Sequence, residues 1–376
     1  MKGSNARLVK KAKARFKKRR HEMRINVILA LILFLVMNIG SFSNWAIGSE
    51  FELKISKKEA WGKEYEIKFT PKLTIGTDDY DKENYIFGGI SDIETDDEGN
   101  IYISDYINCR VQKYSPTGEY LFTFGNGKGQ GPGQFQRPRY IALDSKRNLY
   151  VVDINQSKVL IFDSSGRFDR EIITQNRPGK IALGKDSMFL TTWLNKADDS
   201  VVEYDLSSGK KIRTLCRVDP KQSIPIGRAG ETDSVCTDSE GYLYCNLFYP
   251  YEIRKYSPQG EELLRFSRKE SFYGPPQPDK NGVMFMLSGS MTIDIFPDGK
   301  IINVIKHGKK RGNKITLEFY FDFFSPSGEW LKTVSSSAVE SNWVRLVEID
   351  TSGNLYLDYI NPYPHIKKYS VEVIKK

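Results

Sequence analysis

The chain has 376 residues, enough for one large core or two ordinary ones, with 12% aromatic residues and four cysteines. Its net charge of +9 belongs to its start: residues 1–48 carry 11 Lys/Arg and one Glu, leaving 45 basic against 46 acidic residues in the remainder. A near-neutral body loses the electrostatic support for nucleic-acid binding. A zinc site is poorly supported too, because no Cys-x-x-Cys spacing occurs and only His307 and His365 lie beyond the basic tail.

Residues 1–24 form a basic cytoplasmic tail or an extended n-region, and 25–48 read as a signal peptide or signal-anchor helix. The basic flank should stay on the cytoplasmic side, which exports the rest to the periplasm or cell envelope, secreted or tethered by its N-terminus. Ala46 and Gly48 offer a cleavage site, and Met23 offers a second start. A linker is expected over 49–63 and a single folded domain over 64–376.

Within that domain a hairpin signature recurs: an apolar strand, a turn of Asp, Ser, Lys and Gly, then a strand rich in Tyr. It occurs as SDIETDDEGNIYISD (91–105), YIALDSKRNLYVVD (140–153), KIALGKDSMFLTTW (180–193), SVCTDSEGYLYCNL (234–247), MTIDIFPDGKIINVI (291–305) and VRLVEIDTSGNLYLD (344–358). A second hairpin follows each of the first five, marked by stretches such as KYSPTGEYLF and KYSPQGEELL. The turn position (Gly99, Arg147, Ser187, Gly241, Gly299, Gly353) advances by 40 to 58 residues. Four antiparallel strands in such a period predict an all-β, six-bladed β-propeller. The last unit is one strand short, so EYEIKFTPKLTIG (64–76) is expected to close it as the outer strand, removing an exposed edge.

The stretch FGNGKGQGPGQFQRP (124–138) imitates a phosphate loop but fails both spacings. Gln130 stands where a dinucleotide fingerprint needs its third glycine, and Phe122 where a P-loop needs its first. It is read as the connector from blade one to blade two. The segments GNIYISDYINCRVQKYSPTGEYLFTF and YIALDSKRNLYVVDINQSKVLIFDSSGRF resemble two consecutive NHL-type repeats of bacterial six-bladed propellers. Units three and five depart from that pattern, lacking the Asp that ends the second strand or the Asp-x-x-Asn that follows it. Gluconolactonase-like and amidating-lyase-like propellers are the enzymatic relatives this resemblance brings in. The lyase reading needs a His-rich centre that two body histidines do not make, and no nucleophile arrangement has local support, so no catalytic residue is assigned.

Loops between the second and third strands share a face with the blade-to-blade connections, and binding concentrates on such loops. They supply Tyr106, Asn108, Arg110, Asn155, Trp193, Asn195, Asn246, Tyr249, Tyr251, Tyr359 and Asn361 as candidate ligand-binding residues. Rings and amides suit a protein, peptide or glycan ligand; packing and loop capping are the plainer use of each. Asp105, Asp153 and Asp358 recur near the channel rim, where they would either bind Ca²⁺ and serve acid–base chemistry or cap the adjoining turns. The reading is therefore an exported, monomeric binding scaffold with no nucleic-acid partner, and the alternative is a calcium-dependent hydrolase or lyase. Cys109, Cys216, Cys236 and Cys245 allow three disulfide pairings or four buried thiols.

Overall fold

The structure is a computed structural model. It describes residues 53–376 apart from 175–176, 193–200, 218–231, 249, 270–276, 279–283, 286–287, 312–313 and 342. The chain divides into 1–51 and 52–376, and the signal or anchor segment lies outside the described residues, as do Trp193, Asn195 and Tyr249. Among the described residues no helix is long and apolar enough to cross a membrane.

Among the described residues six blade sheets and one two-stranded ribbon (Gln277–Pro278 with Met284–Phe285) are formed, and blades 1 to 5 each hold four antiparallel strands consecutive in the blade. Blade 1 runs from Ile90–Thr95 to Tyr120–Phe124, blade 2 from Pro138–Leu143 to Phe168–Ile173, and blade 3 from Pro178–Leu183 to Lys211–Leu215. Blade 4 runs from Thr232–Thr237 to Glu262–Arg268 and blade 5 from Gly289–Ile295 to Trp330–Ser335. Blade 6 holds Val347–Ile349, Asn354–Tyr359 and His365–Lys375, and its outer strand is Tyr65–Ile75, so the expected ring closure is present. Pro71 is tolerated there because it marks a register shift on an outermost strand, whose far edge has no ladder to break.

The residues before this closing strand are also paired. Lys54–Ser56 adds in parallel to the outer strand of blade 4, and the amides of Ala60 and Trp61 donate to the carbonyls of Trp330 and Leu331 on blade 5. The stretch read as a linker thus straps the outside of blades 4 and 5 before entering blade 6.

The repeat has a chemical cause. Asp96 accepts from the backbone and side chain of Asn100 and from the Tyr102 hydroxyl. Asp144 makes the same set with Asn148 and Tyr150, and Asp350 with Asn354 and Tyr356. Each carboxylate locks the first turn of its blade from three sides, with Gly99 (φ 80°) and Gly353 (φ 78°) supplying the left-handed step. Blade 3 has Gly184 in the place of that aspartate and blade 5 has Phe296; these are the two units whose sequences departed from the pattern.

The cores lie between blades. Phe124, Phe135, Val151, Leu160 and Phe162 are buried between blades 1 and 2, and Phe319, Phe321, Phe323, Leu355 and Leu357 between blades 5 and 6. Phe135 belongs to the glycine-rich connector. Its ring packs against Gly125 (φ 100°), where any Cβ would collide with it. The glycines make room for a buried anchor, as a connector requires.

Candidate functional site: the central channel

The first strand of each blade has an unpaired inner edge facing the ring axis, and its backbone N–H groups need acceptors. Side chains of the neighbouring blade supply several. Asp92 of blade 1 accepts from the Ile141 amide of blade 2 at 2.9 Å, and Asp294 of blade 5 accepts from Ile349 of blade 6 at 2.6 Å. Glu348 of blade 6 accepts from the amide and hydroxyl of Thr95 in blade 1 at 3.0 and 2.9 Å. Carboxyl groups thereby stitch blades 5, 6, 1 and 2 together around the axis.

Two cavities occupy the channel. The inner one, the throat, encloses about 210 Å³. Its walls include Glu94, Ala142, Ala182, Cys236, Asp294 and Glu348, which fall at equivalent positions, five residues before the turn position of each blade. Three consecutive blades (5, 6 and 1) thus contribute carboxyls and the other three contribute small side chains. Burial pushes all three carboxyls up, Asp294 to about 7 and Glu94 and Glu348 well above the ordinary carboxylate range, and mutual repulsion adds to the shift. Burial also raises the Cys236 thiol.

Lys180 lies between the two cavities and lines both. It reaches from blade 3 past blade 2 to Asp92, with Nζ at 2.6 Å from Oδ1. Burial opposes its charge, but Asp92 and Glu94 outweigh burial and hold the ammonium above the ordinary lysine range. Asp92 is raised by burial and pulled back by Lys180.

The outer cavity, the mouth, encloses about 290 Å³ on the face of the blade-to-blade connections. Among the described residues Arg139, Lys180, Lys306 and Arg345 line it, and no carboxylate does. Arg345 is held by Asp358 (2.6 Å) and Lys180 by Asp92, behind the cavity wall. Arg139 has no such partner: its Nε is buried without an acceptor, and its guanidinium lies 5.1 Å from the Tyr106 ring and 5.7 Å from Tyr140. The Nε of Arg137, which also faces Tyr106 (5.3 Å), is buried without an acceptor too. Tyr140, Phe319 and Trp343 complete the apolar wall, and Ser91, Ser234 and Thr292 add hydroxyls.

Of the described loop residues expected to bind, Tyr106 is the one whose ring meets a cation of this mouth, Arg139. Asn108 donates to Asp105, and Arg110 pairs with Asp105 and donates to the Ile86 carbonyl. Asn246 is fully buried between the Ser234 amide, Ser290 and Asn303. Tyr251 gives its hydroxyl to Asp322, and Tyr359 gives its own to the Val339 carbonyl while stacking on His365. Asn155 and Asn361 are exposed. These side chains cap loops and fill cores, the plainer use weighed above, and do not converge on one ligand position.

Asp105, Asp153 and Asp358 share one job. Asp105 accepts from the amides of Gly88 and Gly89, Asp153 from Gln136 and Arg137, and Asp358 from Arg345 and Leu346. Each fastens the incoming connector to its own blade. Their oxygens are engaged by backbone amides one blade at a time. Among the described residues no group of three or more His, Cys, Asp or Glu side chains is placed to hold a metal ion. All four cysteines are free thiols.

The throat makes its own prediction. Asp294→Asn keeps an oxygen for the Ile349 amide and removes one of the crowded charges. Wild-type Asp294 ionises with a folded pKa near 7 against an ordinary 3.8, so its cost grows from about pH 4 to pH 7 and is then complete. Urea titrations should find the variant more stable by about 2 kcal/mol at pH 8, with the gain shrinking toward pH 4. A loss of stability at pH 8 would show that Asp294 is held there as a favourable anion.

A family model described as a 6-bladed beta-propeller, DUF5128, matches residues 80–189. No curated protein matches the chain in sequence. Among solved structures, a member of the DUF4221 family from Bacteroides vulgatus is similar with a TM-score of 0.62 at 10% identity, covering 84% of this chain and 100% of its own. A Bacteroides fragilis protein described as exported is similar at 0.55 and 12% identity, covering 86% and 98%. A streptogramin B lyase aligns at 0.46 and 10% identity, covering 84% and 100%. Sequence period, blade topology and the two closer likenesses agree on one conclusion: the chain folds as a six-bladed β-propeller.

Proposed function

We propose that this propeller is a binding protein whose ligand is an anion seated in the channel mouth. The observation that carries the reading is a concave cavity that, among the described residues, is lined by four cations and no carboxylate. At about 290 Å³ the mouth sits at the small end of ligand cavities, which span roughly 300–1,000 Å³, so it suits a small molecule or the end of a chain. Export to the envelope, through 25–48 as a signal or anchor, is part of the reading; the described character of the Bacteroides fragilis relative supports it. So is NHL-type ancestry, on the residues of blades 1 and 2.

Calorimetric titration with small carboxylates, sulfates and phosphates tests the reading. Arg139→Ala and Lys306→Ala should each weaken the best anion by about tenfold or more, the effect of one charge-assisted hydrogen bond. Millimolar anions that bind nowhere, or binding indifferent to both variants, would sink it.

A second reading, an acid–base enzyme, rests on Glu94. Among the described residues this throat carboxyl has no hydrogen-bond partner; it is raised by burial and stands under the field of Lys180. Such a group suits proton transfer. The chemistry would then sit in the throat and not at Asp105, Asp153 and Asp358. Glu94→Gln would abolish turnover of a bound ligand while sparing its affinity; turnover that survives this change removes the reading.

A further inference from the structure

The mouth offers more than charge. Trp343 stands on its wall with 36% of its surface exposed, an unusual place for the largest apolar side chain. It rests on the buried Phe319 ring (centroids 5.5 Å apart, 56° between planes), which fixes its orientation. Its backbone is fastened as well, since the Trp343 amide donates to Ser341 Oγ and Ser341 Oγ donates back to the Trp343 carbonyl. A preset, partly exposed indole is a platform for a ring.

The floor of the same cavity is made of hydroxyls. Ser91, Ser234 and Thr292 line it, each nearly buried. Ser91 Oγ reaches the Pro138 carbonyl at 3.3 Å, and Ser234 Oγ and Thr292 Oγ1 are 3.5 Å apart. One donated proton per hydroxyl leaves acceptor lone pairs for a ligand that brings its own O–H groups. A flat aromatic acid would leave those lone pairs without donors, and inorganic phosphate would leave the indole bare.

From this combination we infer that the ligand is an acidic sugar: a pyranose carrying a carboxylate or sulfate group, its ring face on Trp343 and its acid group toward Arg139 and Lys306. The inference rests on the anion reading above and names its ligand class. Apolar C–H faces of a pyranose suit the indole, its hydroxyls suit the serine and threonine floor, and its acid pairs with the Arg139 and Lys306 cations on the wall. The cavity holds one or two such rings, and a longer chain would project from the open face.

The test is calorimetric titration of the full domain with glucuronate, galacturonate, mannuronate and their short oligomers, with galactose 6-sulfate, and with galactose, benzoate and inorganic phosphate as comparisons. At least one acidic sugar should bind tenfold or more tighter than galactose, benzoate and phosphate. Trp343→Ala should weaken that sugar at least tenfold and change phosphate binding less than twofold, while Trp343→Phe restores most of the affinity. Carboxylated and sulfated probes separate the two acid groups. Benzoate or phosphate binding as tightly as every acidic sugar, or Trp343→Ala weakening all anions alike, would overturn the sugar and leave the anion site standing. Silence from every anion would overturn both.

Discussion

Replacing Lys180 with methionine is expected to cost about 3–5 kcal/mol of folding stability at pH 8, the penalty for stranding a buried charge. Methionine fills nearly the same space but leaves Asp92, 1% exposed, without its ammonium, and removes the cation that offsets Glu94, Asp294 and Glu348. The pH dependence distinguishes this account from simple loss of packing. The four carboxyls have folded pKa values raised above their unfolded ones, so the folded state holds more protons. Their penalty is therefore absent below about pH 4 and grows as pH rises through the folded values, near 7 for Asp294. Without Lys180 those values climb further and the penalty steepens. Chemical denaturation of both proteins at pH 5 and pH 8 should show a difference smaller by at least 1 kcal/mol at pH 5. An equal cost at both values would mean that Lys180 matters for its packing alone.

The same residue ties stability to binding. Lys180 is the cation common to mouth and throat, so an anion arriving at the mouth draws on the charge that restrains the carboxyls beneath. Glu348 and Asp294 also hold backbone amides of the next blade, which places the acid cluster at the seam where blades 5, 6 and 1 meet. The channel is thus a structural joint as well as a cavity, and this is the reason its charges are costly to disturb.

Blades, turns and ring closure were legible in the sequence because local chemistry specifies them. The Asp–Asn–Tyr lock of the first turn repeats in blades 1, 2 and 6, and a positive-φ residue follows each aspartate at fixed spacing, Gly99, Arg147 and Gly353. The channel was hidden for a physical reason: Glu94, Asp294 and Glu348 are far apart along the chain, and only closure of the ring brings them together. A signal existed. Aligning the six units on the first-turn position places Glu94, Ala142, Ala182, Cys236, Asp294 and Glu348 in one column. Loop residues misled in the opposite sense, because Tyr251, Tyr359 and Asn246 look like surface aromatics and amides until the neighbouring blade covers them. Arg139 sits on the first strand of blade 2, one residue past the glycine connector, so the stretch whose spacing excluded a phosphate loop still leads the chain to a guanidinium at the mouth.

The strongest test of the fold lies at its seam. A chain beginning at residue 77 lacks Tyr65–Ile75, which pairs with His365–Lys375 along its whole length and buries Ile67 and Ile75. Blade 6 would then end in an eleven-residue strand with one open edge, flanked by uncovered core. Such a chain is expected to aggregate or to lose its cooperative melt, whereas a chain beginning at residue 64 should melt as one unit. The ends also point to a rescue. The Lys376 amide donates to the Glu64 carbonyl at 2.8 Å, and Tyr65 stands opposite Lys375, so a two-residue Asn-Gly turn suffices to join them as a hairpin. Moving 64–76 behind Lys376 through that turn converts blade 6 into an uninterrupted four-stranded meander. This permutant should recover the cooperative melt and solubility of the 64–376 chain from identical residues. A 77–376 chain that stays soluble and melts like the parent would mean that the outer strand decorates the ring without closing it. The three chains separate these cases because the first two differ by the strand itself, and the permutant differs from the parent in connectivity and the added turn.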